Sequence, residues 1–560
     1  MRNNEMLVYN IRTVTTFKEL LEGSVELYGE RTAFLYTESD EAVIEVTYNE
    51  AFEQIKAFAT YLRSIFPEGA RIAVTGKNSY HWALTYLAVT CGVGTIIPID
   101  KDLRADEIEG LLETAEASAL VYSSELDEKM SGVKERFTCL NMANMGEYLE
   151  KGRELIAAGA RDYEEHKINP HDMGIMLFTS GTTGVSKGVM LSQYNICSNI
   201  MGVLKKLKVY PEDRAFSVAP LHHTFECTAG FLAIIYGGGS IAYNSSLRKI
   251  QTELKLFRPT IMASVPLILN TFRNTIIKKY KKMKGGSAVL SIQRTLSDIS
   301  GAKTRKKIFG IVNDTFGGRM RLIVCGAAPL EPETFKDYER FGIKVYIGYG
   351  LTETSPVVTV HNDFYRSPYD IGYPIVGTSV RLDDVNEEGI GELLVKGPGV
   401  MLGYYNNKEE TDRVIVDGWF HTGDLAKKTE QGTYCITGRI KSMIVSPGGK
   451  KIFPEELELY LDRSPYVTES MVYESCVNDE PKITAAIFPN TEEIEAKLGI
   501  SQGSLEYEAK ERELLETLVS ETNKKFPNYK HIGRLVIRRT EFEKTTTKKI
   551  KRTDPKNLME

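Results

Sequence analysis

The chain has 560 residues, more than one hydrophobic core usually organises, and this length predicts two or more domains. Its hydrophobic and charged fractions are ordinary for a globular protein, and a net charge of -5 does not favour nucleic acid as a partner. The seven cysteines form no Cys-x-x-Cys pair and no apolar run reaches the roughly 18 residues of a membrane span, so we expect a cytoplasmic protein, with peripheral membrane contact left open.

Short apolar runs alternate with amphipathic stretches from about Arg71 onward. The pattern predicts strands at 71–76, 94–99, 119–124, 215–220, 239–244 and 260–266. It predicts helices at 79–89, 104–115, 227–236 and 247–257. This alternation is typical of βαβ units, so we expect an α/β fold with mostly parallel, helix-layered sheets in a large N-terminal domain.

The second half of the chain changes character twice. Residues 371–434 are rich in Gly, Val and turn signals, which predicts a small β-rich subdomain. After Gly438 come a Lys/Gly loop, a helix from Pro454, two strand-like runs, a charged helix over 505–525 and a basic tail. We place a domain boundary at about Lys441, which gives a large domain of residues 1–440 and a small, mobile α+β domain of residues 441–560.

The most informative stretch is LFTSGTTGVSKGVMLS, residues 177–192. An apolar run at 173–178 leads into a loop of small and hydroxyl residues, and we expect a helix over 194–209. Backbone N–H groups, hydroxyls and the charge of Lys187 together form the chemistry of a polyphosphate cradle. The loop is not a Walker A motif, because Lys187 stands between Ser186 and Gly188. By composition alone such a cluster is more often a plain linker, but the exact string resembles the phosphate loop of the adenylate-forming (acyl-activating, AMP-binding) enzyme superfamily.

The resemblance extends from about Thr16 to Arg552 and rests on several motifs in the family's order. A long helix-prone insertion between residues 266 and 321 makes the chain most similar to long-chain fatty acid–CoA ligases. The resemblance implies ATP and CoA as substrates and Mg²⁺ as cofactor. It also implies that the loop binds ATP through Thr179, Ser180, Gly181, Thr182, Thr183, Gly184 and Lys187.

A second motif is YIGYGLTETSP at 346–356, preceded by IVCGAAPL at 323–330. From the residues alone, a nucleotide and metal site and a packed turn are equally plausible. The resemblance implies that Tyr349 and Gly350 contact the nucleotide, Thr352 its phosphate, and Glu353 the Mg²⁺ ion. It further implies that the adenine and the acyl group are bordered by Gly326, Ala327 and Ala328.

A third motif combines GWFHTGDLA at 418–426 with GRIK at 438–441. An isolated Asp after Gly is usually a turn residue. The resemblance instead implies that Asp424 accepts hydrogen bonds from the ribose hydroxyls with help from Arg439. It also implies that Lys441 is the hinge about which the small domain rotates.

A fourth motif is PLHHTFE at 220–226. Adjacent histidines diverge in direction, so chelation of a metal by this pair is not expected. The resemblance implies that His223 lies near the substrate carboxylate and that Phe225 lines the acyl tunnel. Amino-acid-activating members carry an Asp where this chain has Thr224, so we expect an acid with an uncharged tail.

The small domain carries the remaining motifs. SPGGKKIFPEELE at 446–458 resembles the loop beside which pantetheine passes, with Gly448 and Gly449 as its glycines. EKTTTKKIKR at 543–552 resembles the motif of the catalytic lysine, which implies Lys549 in that role. Lys548 replaces the family's usual Gly, which leaves a one-position ambiguity.

These motifs together predict an AMP-forming ligase for a medium- or long-chain fatty acid. It would form acyl-AMP with release of pyrophosphate and then transfer the acyl group to CoA. An acyl-acyl-carrier-protein ligase and a non-catalytic nucleotide- or lipid-binding relative remain as alternatives, and the oligomeric state stays open. The Lys-rich insertion is most simply a solvated helix face; the alternative is a surface for anionic lipid or CoA phosphates.

Overall fold

The computed structural model describes residues 9–37, 42–179, 186–445, 450–477, 480–544 and 549–558. The chain divides into two compact units, Met1–Val380 with Val395–Phe420, and Arg381–Leu394 with His421–Glu560. The second unit therefore includes residues 421–440. This division shows which residues pack together. It does not test whether the small domain rotates about Lys441, so the boundary there stays a prediction.

A nine-stranded sheet forms one half of the first unit. Its six central strands are parallel, and antiparallel strands complete both edges. In spatial order the strands are Tyr373–Pro374, Val357–Val360, Lys344–Gly350, Leu322–Cys325, Ile261–Ser264, Arg214–Ser217, Ser240–Tyr243, Thr32–Thr37 and Val43–Thr47. The carboxyl ends of parallel strands meet at one edge of such a sheet, which is where ligands usually bind.

A seven-stranded sheet forms the other half of the first unit, again parallel in its centre. Two antiparallel strands close one edge. In spatial order the strands are Gly403–Tyr404, Lys187–Ser192, Met173–Thr179, Thr95–Ile99, Arg71–Thr75, Ala119–Tyr122 and Thr138–Asn141. The predicted α/β class with largely parallel sheets is confirmed.

The helices of the first unit pack on these sheets. Helix Tyr80–Gly92 is buried on nearly every side, which explains why its sequence is apolar all round. The largest core cluster joins residues of both sheets, such as Phe34 and Ile241 of one with Val74 and Ile96 of the other. The other helices are Phe17–Tyr28, Tyr48–Ile65, Ala105–Thr114, Val133–Arg136, Met145–Ala157, Asp162–Glu165, Gln193–Leu204, Ala233–Tyr236, Ile250–Phe257, Pro266–Lys282, Gly286–Asp298, Ala302–Ile308, Gly310–Thr315, Pro332–Arg340 and Lys408–Val414.

The second unit is built from β-strands of the Gly- and Val-rich region followed by an α+β part. One of its sheets contains the strands Ser379–Asp383, Ile390–Lys396, Trp419–Lys428 and Tyr434–Arg439, the first three of which begin or end in the first unit. The last two of these strands pair antiparallel. The short strands Ile444–Val445 and Lys451–Ile452 pair with each other. A separate three-stranded sheet contains Val467–Val477, Glu480–Pro489 and Arg534–Ile537. Its helices are Pro454–Leu461, Thr491–Leu498, Leu505–Asn523 and Pro555–Leu558. Among the described residues of the whole chain, no helix combines the length and apolar character needed to cross a bilayer.

Candidate active site

The predicted phosphate loop connects two antiparallel strands. Thr179 ends the strand Met173–Thr179 and pairs with Lys187, the first residue of the strand Lys187–Ser192. The predicted passage from loop directly to helix is therefore wrong. The run after Lys187 forms a strand because Val189 and Leu191 bury their side chains in the core, and the helix begins only at Gln193. Five predicted ATP-binding residues lie outside the described residues: Ser180, Gly181, Thr182, Thr183 and Gly184.

Lys187 lies in a group of charged and aromatic side chains. Its ammonium forms an ion pair with Glu410 and lies 5.0 Å from the centre of the Tyr404 ring. The Tyr404 hydroxyl donates a 3.0 Å hydrogen bond to Oε1 of Glu353. Hydrogen bonds from Arg413, followed by the contact with Lys187, lower the pKa of Glu410 to about 2. Tyr404 thus connects the loop lysine with the predicted metal ligand, and no motif pointed to it.

The turn that carries Glu353 is fixed by close backbone contacts. The strand Lys344–Gly350 contains Tyr349, and a short 3-10 turn, Thr352–Thr354, follows it. A Cβ atom on Gly350 would lie 1.8 Å from the Pro356 carbonyl oxygen, so only glycine fits there. The Glu353 carbonyl accepts a 2.9 Å hydrogen bond from the N–H of Met401. These contacts fix the backbone of the turn, and its Glu353 side chain lies beside Tyr404.

The Gly-Ala-Ala segment and Phe225 lie together at the carboxyl edge of the nine-stranded sheet. The segment follows the strand Leu322–Cys325, and the N–H of Gly326 donates to the Ser264 carbonyl at 3.3 Å. Ala327 has a left-handed backbone with φ of 71°, and Ala328 follows it. The Phe225 ring lies 3.4 Å from the place a Cβ of Gly326 would occupy. The two motifs predicted to border the acyl group are therefore in contact.

The two histidines of PLHHTFE lie against each other. The ring centres of His222 and His223 are 4.1 Å apart, and Nε2 of His222 lies 3.4 Å from a carboxylate oxygen of Asp100. Thr224 is buried and borders a cavity of about 10 Å³ lined mainly by apolar side chains. In the described part of the chain, no three His, Cys, Asp or Glu side chains form a group that could hold a metal.

Glu226, the last residue of the same motif, is a buried acid that the sequence analysis did not single out. It is 1% exposed, and within the described part of the chain neither carboxylate oxygen meets the geometry of a hydrogen bond. Burial raises its pKa to about 8, and the nearby Ser217 hydroxyl opposes this only in part. It begins a π-helical turn, Glu226–Leu232, where a plain helix was predicted. A Cβ on Gly230 would lie 2.6 Å from the Glu226 carboxyl group, so glycine leaves room for this acid.

Asp424 and Arg439 are paired on neighbouring strands of the second unit. They are register partners in the pairing of Trp419–Lys428 with Tyr434–Arg439, and Nε of Arg439 lies 2.8 Å from Oδ1 of Asp424. Asp424 is 2% exposed, and its N–H donates a 3.0 Å hydrogen bond to Thr422 Oγ1. Lys441 follows directly in the 3-10 turn Ile440–Ser442.

Lys549 lies close enough to the Asp424–Arg439 pair for both charges to act on it. Burial of its ammonium and the Arg439 guanidinium lower the pKa of Lys549, and the Asp424 carboxylate acts in the opposite sense. Other atoms of Lys549 are exposed to solvent. Three residues predicted from two separate motifs are thus neighbours. Gly448 and Gly449, by contrast, lie outside the described residues.

Asn557 holds the base of the loop that carries Lys549, and no motif indicated it. An antiparallel bridge joins Lys544 to Ile550 across the loop. Asn557 is fully buried, and its amide donates to the carbonyls of Glu543 and Lys551 at 2.8 and 2.9 Å. Its carbonyl oxygen accepts from the N–H of Glu543 at 2.7 Å. These three bonds fix both ends of the loop relative to each other.

Comparisons with known proteins identify the family of the chain. A family model described as "AMP-binding enzyme" matches residues 21–405. The chain is 28% identical over 455 residues to long-chain-fatty-acid–CoA ligase FadD15 of Mycobacterium bovis, which covers 76% of this chain and 75% of that protein. It is 25% identical over 556 residues to long-chain-fatty-acid–CoA ligase 5 of Rattus norvegicus, which covers 90% and 80%.

Solved structures share the fold at lower identity. The anthranilate CoA ligase AuaEII in complex with anthranoyl-AMP has a TM-score of 0.76 at 19% identity, covering 100% of this chain and 99% of that one. ATP-bound MatB from Rhodopseudomonas palustris has a TM-score of 0.73 at 22% identity, covering 97% and 98%. The family match spans more than half of the sequence, and the fold is that of adenylate-forming ligases. The chain belongs to the AMP-binding enzyme family, the adenylate-forming superfamily, and is similar to its long-chain-fatty-acid–CoA ligases.

Proposed function

We propose that this protein is an AMP-forming ligase that activates a medium- or long-chain fatty acid with ATP and transfers the acyl group to CoA. The observation that carries the proposal is the position of Lys549 beside the Asp424–Arg439 pair. A nucleotide held at Asp424 by its ribose would direct its phosphates toward that lysine, whose charge is close enough to Asp424 and Arg439 to interact with both. The names of the relatives, long-chain-fatty-acid–CoA ligases, support the choice of acid.

The reaction has two steps that conserve all atoms. A carboxylate oxygen of the acid attacks the α-phosphorus of ATP, the bond to the β-phosphate oxygen breaks, and pyrophosphate leaves. The product is an acyl-AMP mixed anhydride, whose carbonyl carbon is a better electrophile than a carboxylate. The CoA sulfur then attacks that carbon, AMP leaves, and the thiol proton is released.

The residues of the site would stabilise the charge that the first step concentrates on phosphate oxygens. We assign Lys549 to the oxygens of the α-phosphate, and Lys187 with Thr179 and the following loop to the outer phosphates. Thr352 would donate a hydroxyl to the phosphate, and Tyr349 would lie against adenine. His223 would lie near the substrate carboxylate. No side chain needs to form a covalent bond, in keeping with the absence of a G-x-S-x-G motif.

Glu353 fits a magnesium ion that arrives with ATP. Mg²⁺ is usually held by one or two carboxylates together with substrate phosphates and water, and Glu353 is a hard oxygen ligand next to the loop lysine. The described residues contain no larger acidic or histidine cluster that would form a closed metal cage. When bound, the ion neutralises charge on the phosphate oxygens.

The acyl side of the site favours an uncharged chain. Thr224 stands where amino-acid-activating relatives have an acid, and Phe225 presents an apolar ring against the Gly326 backbone. We favour CoA over a carrier protein as acceptor, with pantetheine passing the Gly448–Gly449 loop. The mobile domain would then be residues 441–560, and we propose a cytoplasmic location with peripheral membrane contact.

A panel of carboxylic acids from acetate to oleate tests the proposal. With Mg²⁺ and ATP, we expect pyrophosphate exchange into ATP to rise with medium- and long-chain acids and to stay at background with acetate and amino acids. If none of the acids in the panel supports pyrophosphate exchange, the proposed activity is contradicted and a non-catalytic binding protein is favoured.

The acceptor is tested separately. Purified acyl-AMP, supplied with either CoA or holo acyl carrier protein, should release AMP with CoA and only slowly with the carrier protein. Faster release with the carrier protein would identify an acyl-acyl-carrier-protein ligase and leave the first half-reaction unaffected.

A further inference from the structure

The insertion before the Gly-Ala-Ala segment presents an apolar stripe to solvent. Helix Gly286–Asp298 and the residue after it expose Val289, Ile292, Leu296 and Ile299 by 40, 59, 47 and 83%. Their spacing of three, four and three residues places all four side chains on one face of the helix. Single exposed aliphatic residues are common on protein surfaces, but four on one helical face form a continuous apolar surface.

This stripe belongs to a firmly anchored helix. On the opposite side, Leu290 is buried in the core, and Ser297 Oγ donates a 2.7 Å hydrogen bond to the Arg340 carbonyl. Arg294 forms a 2.6 Å ion pair with Asp337, which is fully buried. The amide of Gln293 donates to the Ile308 carbonyl at 2.7 Å. Since these contacts fix the rotation of the helix, the stripe cannot turn inward.

The flanking segments are strongly basic. Residues 278–307 contain ten Lys or Arg and one acidic residue, Asp298, a net charge of +9 in a chain whose total is -5. Six lysines of this region are exposed and have no salt-bridge partner within the described part of the chain: Lys279, Lys281, Lys282, Lys284, Lys303 and Lys307. Lysines beside an apolar helical face are typical of helices that lie in the interface of an anionic membrane.

We infer that this surface docks the protein on an anionic lipid bilayer, with the stripe in the acyl boundary and the lysines at the headgroups. The inference deepens the peripheral membrane contact proposed above. A nucleic acid would match the charge but not the apolar stripe, whereas a bilayer matches both. The surface would bring the enzyme to the phase in which long-chain fatty acids dissolve.

Vesicle sedimentation without acid, ATP or CoA tests the docking independently of the ligase activity. We compare vesicles of phosphatidylcholine with and without about one third phosphatidylglycerol, at low and high salt. We expect the full-length protein to bind the anionic vesicles about tenfold or more tightly than the neutral ones, with the difference largely lost at high salt. Equal binding to both kinds of vesicle, or to neither, would overturn the inference.

Two double variants separate the apolar and the charged contributions. Ile292→Gln with Leu296→Gln should weaken binding to anionic vesicles about tenfold or more. Lys284→Gln with Lys303→Gln should weaken it about fivefold per lysine, and only at low salt. Matched controls change exposed residues elsewhere: Leu247→Gln with Leu505→Gln, 69 and 86% exposed, and Lys497→Gln with Lys524→Gln. Controls that lose binding as much as the test variants would refute a specific surface.

A second readout distinguishes lipid from CoA phosphates as the ligand of the lysines. With a water-soluble medium-chain acid and no vesicles, the KM for CoA of the Lys284 and Lys303 variant should equal that of the unchanged protein. A raised KM with unchanged vesicle binding would assign the lysines to CoA and contradict the docking surface. Circular dichroism and the melting temperature establish that each variant is folded.

Discussion

At the scale of single residues, Lys549 is the group on which the first half-reaction depends most. It approaches the Asp424–Arg439 pair on the second unit, and its motif leaves Lys548 as the only alternative in the alignment. A cation that stabilises phosphate charge in the transition state is needed for adenylation, whereas thioester formation starts from the finished adenylate.

Lys549→Ala should lower acid-dependent pyrophosphate exchange by a factor of about a hundred or more, the usual cost of one lost donor. Thioester formation from supplied acyl-AMP should stay within a few-fold of the unchanged enzyme. Lys551→Ala, in the same segment, serves as the control and should affect neither step. Loss of exchange in Lys548→Ala with normal exchange in Lys549→Ala would shift the role by one position.

Glu226 makes stability depend on pH in an unusual direction for an acid. Its pKa is about 8 in the folded protein and near 4.5 when exposed, so folding favours the protonated form. The unfolded chain releases this proton more readily, so stability is lost as pH rises from about 4.5 to 8 and changes no further above that. Each pKa unit corresponds to about 1.4 kcal/mol, so the loss is about 5 kcal/mol at most.

Glu226→Gln removes this titration. The melting temperature of the variant, measured relative to the unchanged protein, should increase steadily between pH 5 and pH 8. Glu430→Gln changes an exposed acid and should give a constant difference across the same range. A difference that is independent of pH for Glu226→Gln would show that its carboxyl group is ionised throughout.

Glu410 neutralises Lys187 in the protein without nucleotide. ATP must displace the Glu410 carboxylate before its phosphates can bind Lys187. Glu410→Gln removes this competing charge and should tighten ATP binding several-fold in titration calorimetry. Glu409→Gln, an exposed neighbour, is the matched control and should leave the affinity for ATP unchanged. Weaker ATP binding in Glu410→Gln would mean that the carboxylate positions the lysine rather than competing for it.

At the scale of elements, the segment 543–557 shows how a short basic tail becomes a fixed part of the structure. Beyond the Asn557 bonds, Arg538 donates to the carbonyls of Lys556 and Asn557, and Arg552 pairs with the buried Glu458. The ends of the lysine loop are therefore attached to the three-stranded sheet and to each other.

Asn557→Ala should release the loop that carries Lys549 and lower pyrophosphate exchange about tenfold or more, since three buried hydrogen bonds are lost. The effect should fall on kcat, with the KM for ATP nearly unchanged and thioester formation from acyl-AMP retained. Asn557→Asp keeps only the accepting oxygen and sets a carboxylate oxygen against the carbonyls of Glu543 and Lys551, so its loss should be at least as large as that of Asn557→Ala. Equal losses in both half-reactions would indicate general unfolding of the segment.

Some helices and strands could be predicted from the sequence and others could not. The βαβ alternation, the helix from Pro454 and the charged helix near 505 are confirmed, because strong periodicity and caps specify them locally. The strand Lys187–Ser192 was missed, because its short apolar run follows the Gly- and Thr-rich loop with no turn signal to separate the two. Glu226 and Asn557 were missed for a related reason: their burial arises from contacts made far away in the sequence, and neither belongs to a recognised motif.

At the scale of the whole molecule, the proposed mechanism needs one active site to serve two steps in succession. Lys549 is required in the first step, and the glycine loop at 448–449 in the second. The hinge assigned to Lys441 lies in the turn Ile440–Ser442, which is closed by a 3.3 Å hydrogen bond from Met443 N–H to the Ile440 carbonyl.

Lys441→Pro should block the change between the two steps. Proline fixes φ near -65°, which the existing turn tolerates, since its hydrogen bond does not use the N–H of residue 441. Pyrophosphate exchange should therefore stay within a few-fold, while CoA thioester formation falls at least tenfold. Lys441→Ala retains backbone freedom and should retain both steps. Normal thioester formation in Lys441→Pro would place the hinge elsewhere.

The ion pair between Lys187 and Glu410 has a consequence for which anions the protein admits. Glu410 is also held by Arg413 through two hydrogen bonds of 2.6 and 2.7 Å, so it remains paired after the lysine departs. Displacement therefore costs little to a polyphosphate, which replaces the carboxylate with greater charge. A chloride or bicarbonate ion carries no more charge than the carboxylate already present, so we do not expect it to displace Glu410 from Lys187. We therefore expect the Lys187–Glu410 pair to disfavour small anions and to favour polyphosphates.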